Sequence, residues 1–286
     1  MAGDQRAQAQ TRLRWELLSG IIRKDLKVKY QGSVLGFIWS LANPLLLLVV
    51  YSFVFGVILK NGVPNFGYYL LSGLLVWNFF NLTVAYACGA VVANAGLVQK
   101  VPFPLAVLPL ASVGFAMVHL VLQLSVLFVV MLITGYTVVL GPGLLLIIPA
   151  LAVAILLATG VSFLVAALNV RYRDTAHIVE ILLLAGFWMN PIVYTVATIK
   201  QELGGTIWEQ LYWLNPMAGV TVAMQRALYA ADIPINGAGP IQKVLASTEW
   251  SFYLERLSIG FVVAFALFSL GLTVYRKMSA DFAEEL

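Results

Sequence analysis

Charge is what this sequence lacks most. Of its 286 residues only 10% are Asp, Glu, Lys or Arg, against about 25% in an ordinary soluble domain, while 61% are hydrophobic and the mean hydropathy is +0.92. That balance excludes a water-soluble enzyme or a nucleic-acid-binding module. Cysteine is nearly absent: Cys88 stands alone inside an apolar run, so no intrachain disulfide forms, and it reads as a small core residue. There is no G-x-x-x-x-G-K-[ST] loop, whose backbone N–H groups would cradle phosphates, and no soluble stretch to carry one. The chain therefore supplies no ATP hydrolysis and holds no cofactor of its own. Two histidines, His119 and His177, lie far apart in depth, which excludes a metal centre built on them and leaves no clustered acid and base. The opening "MAGDQRAQAQTRLRWELL" stays polar and charged, unlike the short basic head and apolar core of a cleaved leader, so the N-terminus is expected to be retained.

What is there is apolar sequence in continuous runs of roughly 20 residues, which span bilayers as helices, whereas barrel strands alternate over about 10. The expected fold is all-α and polytopic, with six spans at 34–59, 66–93, 105–134, 144–168, 177–199 and 254–275. Residues 1–33 are expected to form a cytoplasmic N-terminus, 34–275 the transmembrane domain and 276–286 a cytoplasmic tail. A seventh apolar stretch, Leu211 to Ala231, contains Asn215, Pro216, Gln225 and Arg226. A centred arginine costs about 2.5–3.5 kcal/mol even on the lenient insertion scale, and Asn-Pro interrupts a helix. This stretch is expected to re-enter partway from outside.

Six spans with the N-terminus inside place Arg6, Arg12, Arg14, Arg23, Lys24, Lys27, Lys29, Lys100, Arg171, Arg173, Arg276 and Lys277 on the cytoplasmic side. Only Lys60, Lys200, Arg226, Lys243 and Arg256 fall outside. The positive-inside rule thus puts both termini in the cytoplasm of a multi-pass plasma-membrane protein.

Five segments stand out. Before the first span, Leu13, Leu17, Ile21 and Val28 recur at near-helical spacing with Arg23, Lys24, Lys27 and Lys29 elsewhere on the wheel, an interfacial amphipathic helix. "YQGSVLGFIWSLANPLL" then approaches the membrane through Gly32, Gly36 and the Asn43-Pro44 break. "LVQKVPFPLAVLPLA" is a short inner loop that Pro102 and Pro104 keep from being helical. "NVRYRD", with Arg171 and Arg173, turns between two apolar runs, and Asp174 suits the N-terminus of the next helix. There Glu180 is placed to pair with Arg173 or His177. Finally, Asn190-Pro191 and Asn215-Pro216 bracket a segment rich in Trp and Tyr.

In this order and topology, these segments resemble the permease subunit of polysaccharide-exporting ABC transporters of the ABC-2 type. The resemblance rests on "RKDLKVKYQGSVLGFIWSLANP", "QKVPFPLAVLPL", "NVRYRD", "MNPIVY" and "LNPMAGVTVAMQRALY". It implies two copies of this chain with two copies of a separate ATPase subunit that binds ATP and Mg. The cargo implied is a polyprenyl-diphosphate-linked glycan such as O-antigen, teichoic acid or capsule; the Ala/Val/Leu/Gly-rich composition and first-loop wording lean towards an actinobacterial galactan exporter. ATPase docking falls to Gln99, Lys100, Val101, Pro102 and Phe103, for which a plain tight turn is the alternative. A headgroup site and lateral gate fall to Arg23, Lys24, Lys27, Lys29, Tyr30, Ser33, Leu35, Gly36 and Trp39, with Arg171 and Arg173 as a positive collar. Topology signalling and attraction to anionic membrane lipids explain the same basic residues.

An outer gate is expected from Asn190, Pro191, Trp208, Tyr212, Trp213, Asn215, Pro216 and Arg226. Tyr51, Trp77, Phe187, Trp188 and Tyr194 fit either a pore lining for sugars or an interfacial aromatic belt. His119 and Gln123, one turn apart, share a face of span three, and a neutral histidine bonded between helices suits that place better than a proton relay. Two further readings compete: an ABC-2 exporter of drugs or small lipids, and an integral-membrane enzyme acting on polyprenyl lipids. A secondary transporter lacks its expected repeats and midplane charges.

Overall fold

The computed structural model describes residues 2–33, 38–59, 63, 65–100, 103–136, 142–229, 245 and 249–286. Every regular element among them is helical. The order is α1 (Ala2–Tyr30), α2 (Ile38–Tyr51), a π-helical continuation (Ser52–Ile58), α3 (Phe66–Ala93), the single turn α4 (Ala95–Val98) and α5 (Val107–Ile133). A 3₁₀ turn (Pro142–Leu146) leads into α6 (Ile147–Arg171). There follow α7 (Thr175–Trp188), α8 (Val196–Leu203), α9 (Ile207–Trp213), α10 (Pro216–Leu228), α11 (Trp250–Met278) and α12 (Phe282–Glu285).

Four stretches are long and apolar enough to cross a bilayer: Phe66–Ala93, Val107–Ile133, Gly143–Arg171 and Trp250–Met278. Two shorter apolar helices, Pro44–Ile58 and Thr175–Trp188, stand where the first and fifth spans were expected. The chain is a multi-pass membrane protein. The fifth span, expected over 177–199, is corrected: its helix stops at Trp188, and residues 189–195 turn before α8. Pro191 has no N–H to continue the ladder and disfavours helical backbone at Asn190, so the apolar run outlasts the helix.

α3 is the hub, buried along most of its length and packed by α2, α5, α6, α7 and α10. Lipid-facing helices gain little from hiding apolar surface, so close backbone approach has to hold them together. The α6–α11 pair shows how: a Cβ at Gly271 would collide with the Gly160 carbonyl, and one at Gly160 with the Phe268 backbone. Gly186 of α7 likewise receives the indole of Trp77, and Gly114 of α5 receives Ile22 of α1.

α10 is buried on nearly all sides. Asn215 caps it, its side-chain oxygen accepting from Met217 N–H at 3.1 Å, with Pro216 in the first turn. Pro216 lies beside Gly260, well inside α11, whereas Arg226 at the other end lies against Gly143, where the third long stretch begins.

Candidate functional site

α3 and α5 run antiparallel, the start of one joined to the end of the other by Tyr68 and Thr134 hydroxyls 2.7 Å apart. Their midpoints meet at a polar cavity of about 320 Å³, lined by Asn78 and Asn81 from α3, His119 and Gln123 from α5, Lys29 and Tyr30 from α1, and Trp39 from α2. The shared face of His119 and Gln123 is observed.

His119 is held from both sides. Its Nδ1 lies 2.9 Å from the Phe115 carbonyl, which can only accept, so Nδ1 carries the proton. Nε2, 2.9 Å from the Tyr30 hydroxyl, is then the acceptor of a neutral ring. Beside this pair the Lys29 ammonium sits over the rings of Phe115 and Tyr86, at 5.2 and 5.9 Å. Partial burial pulls its pKa below the ordinary lysine value. α1 thus ends near the middle of α5, farther along the bundle than an interfacial helix was expected to reach.

The other basic candidates are more open. Arg23 and Lys27 are exposed; Lys24 donates to the Asn94 side chain at 2.7 Å and pairs with Asp25 at 3.3 Å, tying α1 to the turn after α3. Ser33 is exposed, Trp39 is 59% exposed beside the cavity, and Leu35 and Gly36 lie outside the described residues. Arg171 and Arg173 are exposed in the α6–α7 turn, the Arg171 guanidinium 5.9 Å from the Tyr172 ring. Asp174 precedes α7 without a side-chain capping bond, and Glu180 makes no ion pair among the described residues, so the expected pairing with Arg173 or His177 does not form.

At the same end of the bundle Gln99 and Lys100 are exposed and Phe103 is half-buried against the Ile21, Val98 and Tyr275 cluster. Val101 and Pro102 lie outside the described residues. The Tyr275 hydroxyl donates to the Leu105 carbonyl at 2.8 Å, and Tyr275 packs on the fully buried Phe282 of α12 at 5.5 Å. This clamp behind the loop had no sequence motif to announce it.

The two Asn-Pro breaks meet at the opposite end. Asn215 Nδ2 donates to Asn190 Oδ1 at 3.1 Å, Asn190 Nδ2 donates to the Gly186 carbonyl at 2.6 Å, and Gln225 donates to the Pro191 carbonyl at 2.7 Å. The Tyr194 hydroxyl donates to the Trp188 carbonyl at 2.9 Å and lies 3.3 Å from that of Tyr212. Trp213 is buried, with the Arg256 guanidinium 5.0 Å from its ring and 5.3 Å from that of Phe252, while Trp208 is exposed and Arg226 half-buried.

Four of the five aromatics named as a pore set gather about the C-terminal end of α7, where Trp77 reaches Gly186, Phe187 adjoins Trp188 and Tyr194 bonds to the Trp188 carbonyl. Trp77 is buried against Gly186 and lines an apolar cavity of about 310 Å³ with Phe80, Asn190 and Asn215. Trp188 is 60% exposed, edge-on to the half-buried Phe187, and Tyr51 packs on Phe55. Asn78, Asn81, Asn94 and Tyr275 are the residues the sequence reading missed; two asparagines three residues apart in an apolar run were the available signal.

Comparison with known proteins converges on one family. The O-antigen export system permease protein RfbA of Klebsiella pneumoniae is 30% identical over 275 residues, 95% of each chain. The protein of the same name from Myxococcus xanthus is 33% identical over 222 residues, 76% of this chain and 82% of its own. The polysialic acid transport protein KpsM of Escherichia coli is 19% identical over 264 residues. Residues 16–229 match the ABC-2 type transporter family, and the chain belongs to it.

Proposed function

We propose that the chain is the transmembrane subunit of an ATP-driven exporter that carries a polyprenyl-diphosphate-linked polysaccharide from the cytoplasm to the outer face of the plasma membrane. The observation that carries this reading is the similarity, over 95% of the chain, to permeases named for O-antigen export. Two copies work with two copies of a separate ATPase, which binds ATP and Mg and docks at the Gln99–Phe103 loop. The bond from Tyr275 to the Leu105 carbonyl, just past that loop, suits transmission of a push into the bundle. Both termini face the cytoplasm.

The diphosphate enters beside the C-terminal half of α1. Arg23 and Lys27 are free to pair with phosphate oxygens at the surface, and Arg171 and Arg173 add a positive collar. At the other end, the hairpin made by α9 and α10 re-enters the membrane and closes the path between polymers. Its support is that α10 begins beside Gly260 and returns towards Gly143. An actinobacterial galactan is the favoured cargo, on the Ala/Val/Leu/Gly-rich composition and the wording of the first loop.

The test is the location of glycan in cells deprived of the chain. Loss of surface glycan with lipid-linked polymer trapped inside supports the reading. Unchanged surface glycan with altered drug or small-lipid sensitivity contradicts it and points to a small-molecule exporter.

A further inference from the structure

We infer that the mid-helix cavity between α1, α2, α3 and α5 is a binding site for a neutral sugar ring of the exported glycan, built on the carboxamides of Asn78, Asn81 and Gln123. This rests on the glycan-export reading and adds a site to it.

The first observation is unmet hydrogen-bonding capacity. Asn78, Asn81 and Gln123 are half-buried near the midpoints of two long apolar helices. None of the three side chains has a hydrogen-bond partner among the described residues, whereas Thr83 and Ser72 do; Ser162 and Thr221 are also unpartnered, but they line no part of this cavity. Polar groups at such depth are costly when unsatisfied, and packing gives no reason for three to converge. They converge on an open space of about 320 Å³, at the lower end of the volumes that hold small ligands.

The second observation is the kind of group present. A carboxamide offers donors and an acceptor together, as a sugar hydroxyl does, and neither needs a counter-charge. Among the described residues that line the cavity, Lys29 is the one cation. A diphosphate carries more negative charge than one ammonium offsets, and leaving it uncompensated is expensive. The charge balance favours a neutral, hydroxyl-bearing ring, with the anion left to the exposed arginines and lysines of α1.

Third, the walls suit a ring. Trp39 presents an exposed aromatic plane at the rim, of the kind on which the C–H face of a sugar rests. His119 is locked by Phe115 and Tyr30, so the floor is preorganised.

Leu82 lines the same cavity and supplies the probe position. The full chain with Leu82 replaced by p-benzoylphenylalanine is irradiated in membranes of cells that make the glycan, and the adduct is probed by periodate oxidation and hydrazide labelling. A sugar-bearing adduct is expected. It should fall about tenfold in a chain that also carries Asn78→Leu, Asn81→Leu and Gln123→Leu, because three hydrogen-bonding groups are removed together. An adduct without sugar, or a sugar adduct undiminished by the leucines, overturns the site. Should the triple variant fail to accumulate, Gln123→Leu alone is judged by the same criterion, with a fall of about threefold expected. No sugar adduct in a strain whose surface glycan depends on the chain sinks this site and keeps the export reading. Surface glycan indifferent to loss of the chain sinks the export reading itself.

Discussion

Asn190 and Asn215 touch: the carboxamide of one Asn-Pro break donates to the carboxamide of the other across 3.1 Å. The bond closes the segment between them into a loop whose two necks are joined, with Gln225 bonded to the Pro191 carbonyl beside it. Asn215 also caps α10. Asn215→Ala is expected to destabilise the purified chain by about 1–2 kcal/mol, the cap plus one buried bond. A thermal-melt double-mutant cycle with Asn190→Ala should show a coupling of about 0.5–1.5 kcal/mol; additive effects would show that the two breaks are independent.

The pairing of Tyr30 with His119 has a directional consequence. Tyr30→Phe leaves Nε2 of a buried imidazole without its donor, while Tyr30→Phe combined with His119→Leu removes both partners. Because an orphaned buried acceptor costs about 1–3 kcal/mol and a matched apolar pair costs little, the double variant should melt higher than Tyr30→Phe alone. Equal or lower melting would show that the bond does not hold α1 on α5.

At the α6–α11 crossing the helices leave no room for a methyl group. Gly271→Ala should push the Gly160 carbonyl away and lower the folded yield, and Gly160→Ala should do the same against Phe268. By contrast, Gly89, whose added Cβ would meet nothing within 4 Å, should accept alanine without loss. Membrane-fraction yield and size-exclusion profile check all three.

Docking of the ATPase is testable separately from transport. Lys100 is exposed while Phe103 is half-buried against the chain's own core. Charge reversal by Lys100→Glu is therefore expected to reduce ATPase co-purification with little change in folded yield. Phe103→Ala should reduce both. Undiminished co-purification with Lys100→Glu would move the contact elsewhere.

Much of this was legible from local chemistry. Pro191 and Pro216 mark breaks because neither has an N–H to continue a helix, although Pro44, where a break was also expected, lies inside α2 (Ile38–Tyr51); His119 and Gln123 share a face because helical period alone decides it. What was not legible depends on partners distant in sequence. The run after Trp188 is apolar enough to continue a span, so only the backbone consequence of Pro191 ends it. Trp77 reads equally as a pore or belt aromatic until Gly186 is found beneath it, and Asn78 and Asn81 gain meaning only when α5 brings Gln123 to the same cavity. The clamp of Tyr275 on Leu105 joins residues 170 positions apart, which no periodicity reports.

Translocation by purified components decides whether the chain exports glycan: the chain and its ATPase are placed in proteoliposomes, with the lipid-linked glycan supplied on the ATPase side. ATP-dependent appearance of glycan on the opposite side is expected, protected from an added glycosidase and abolished when ATP is replaced by a non-hydrolysable analogue. Glycan that stays fully degradable although ATP is hydrolysed would contradict export by this chain.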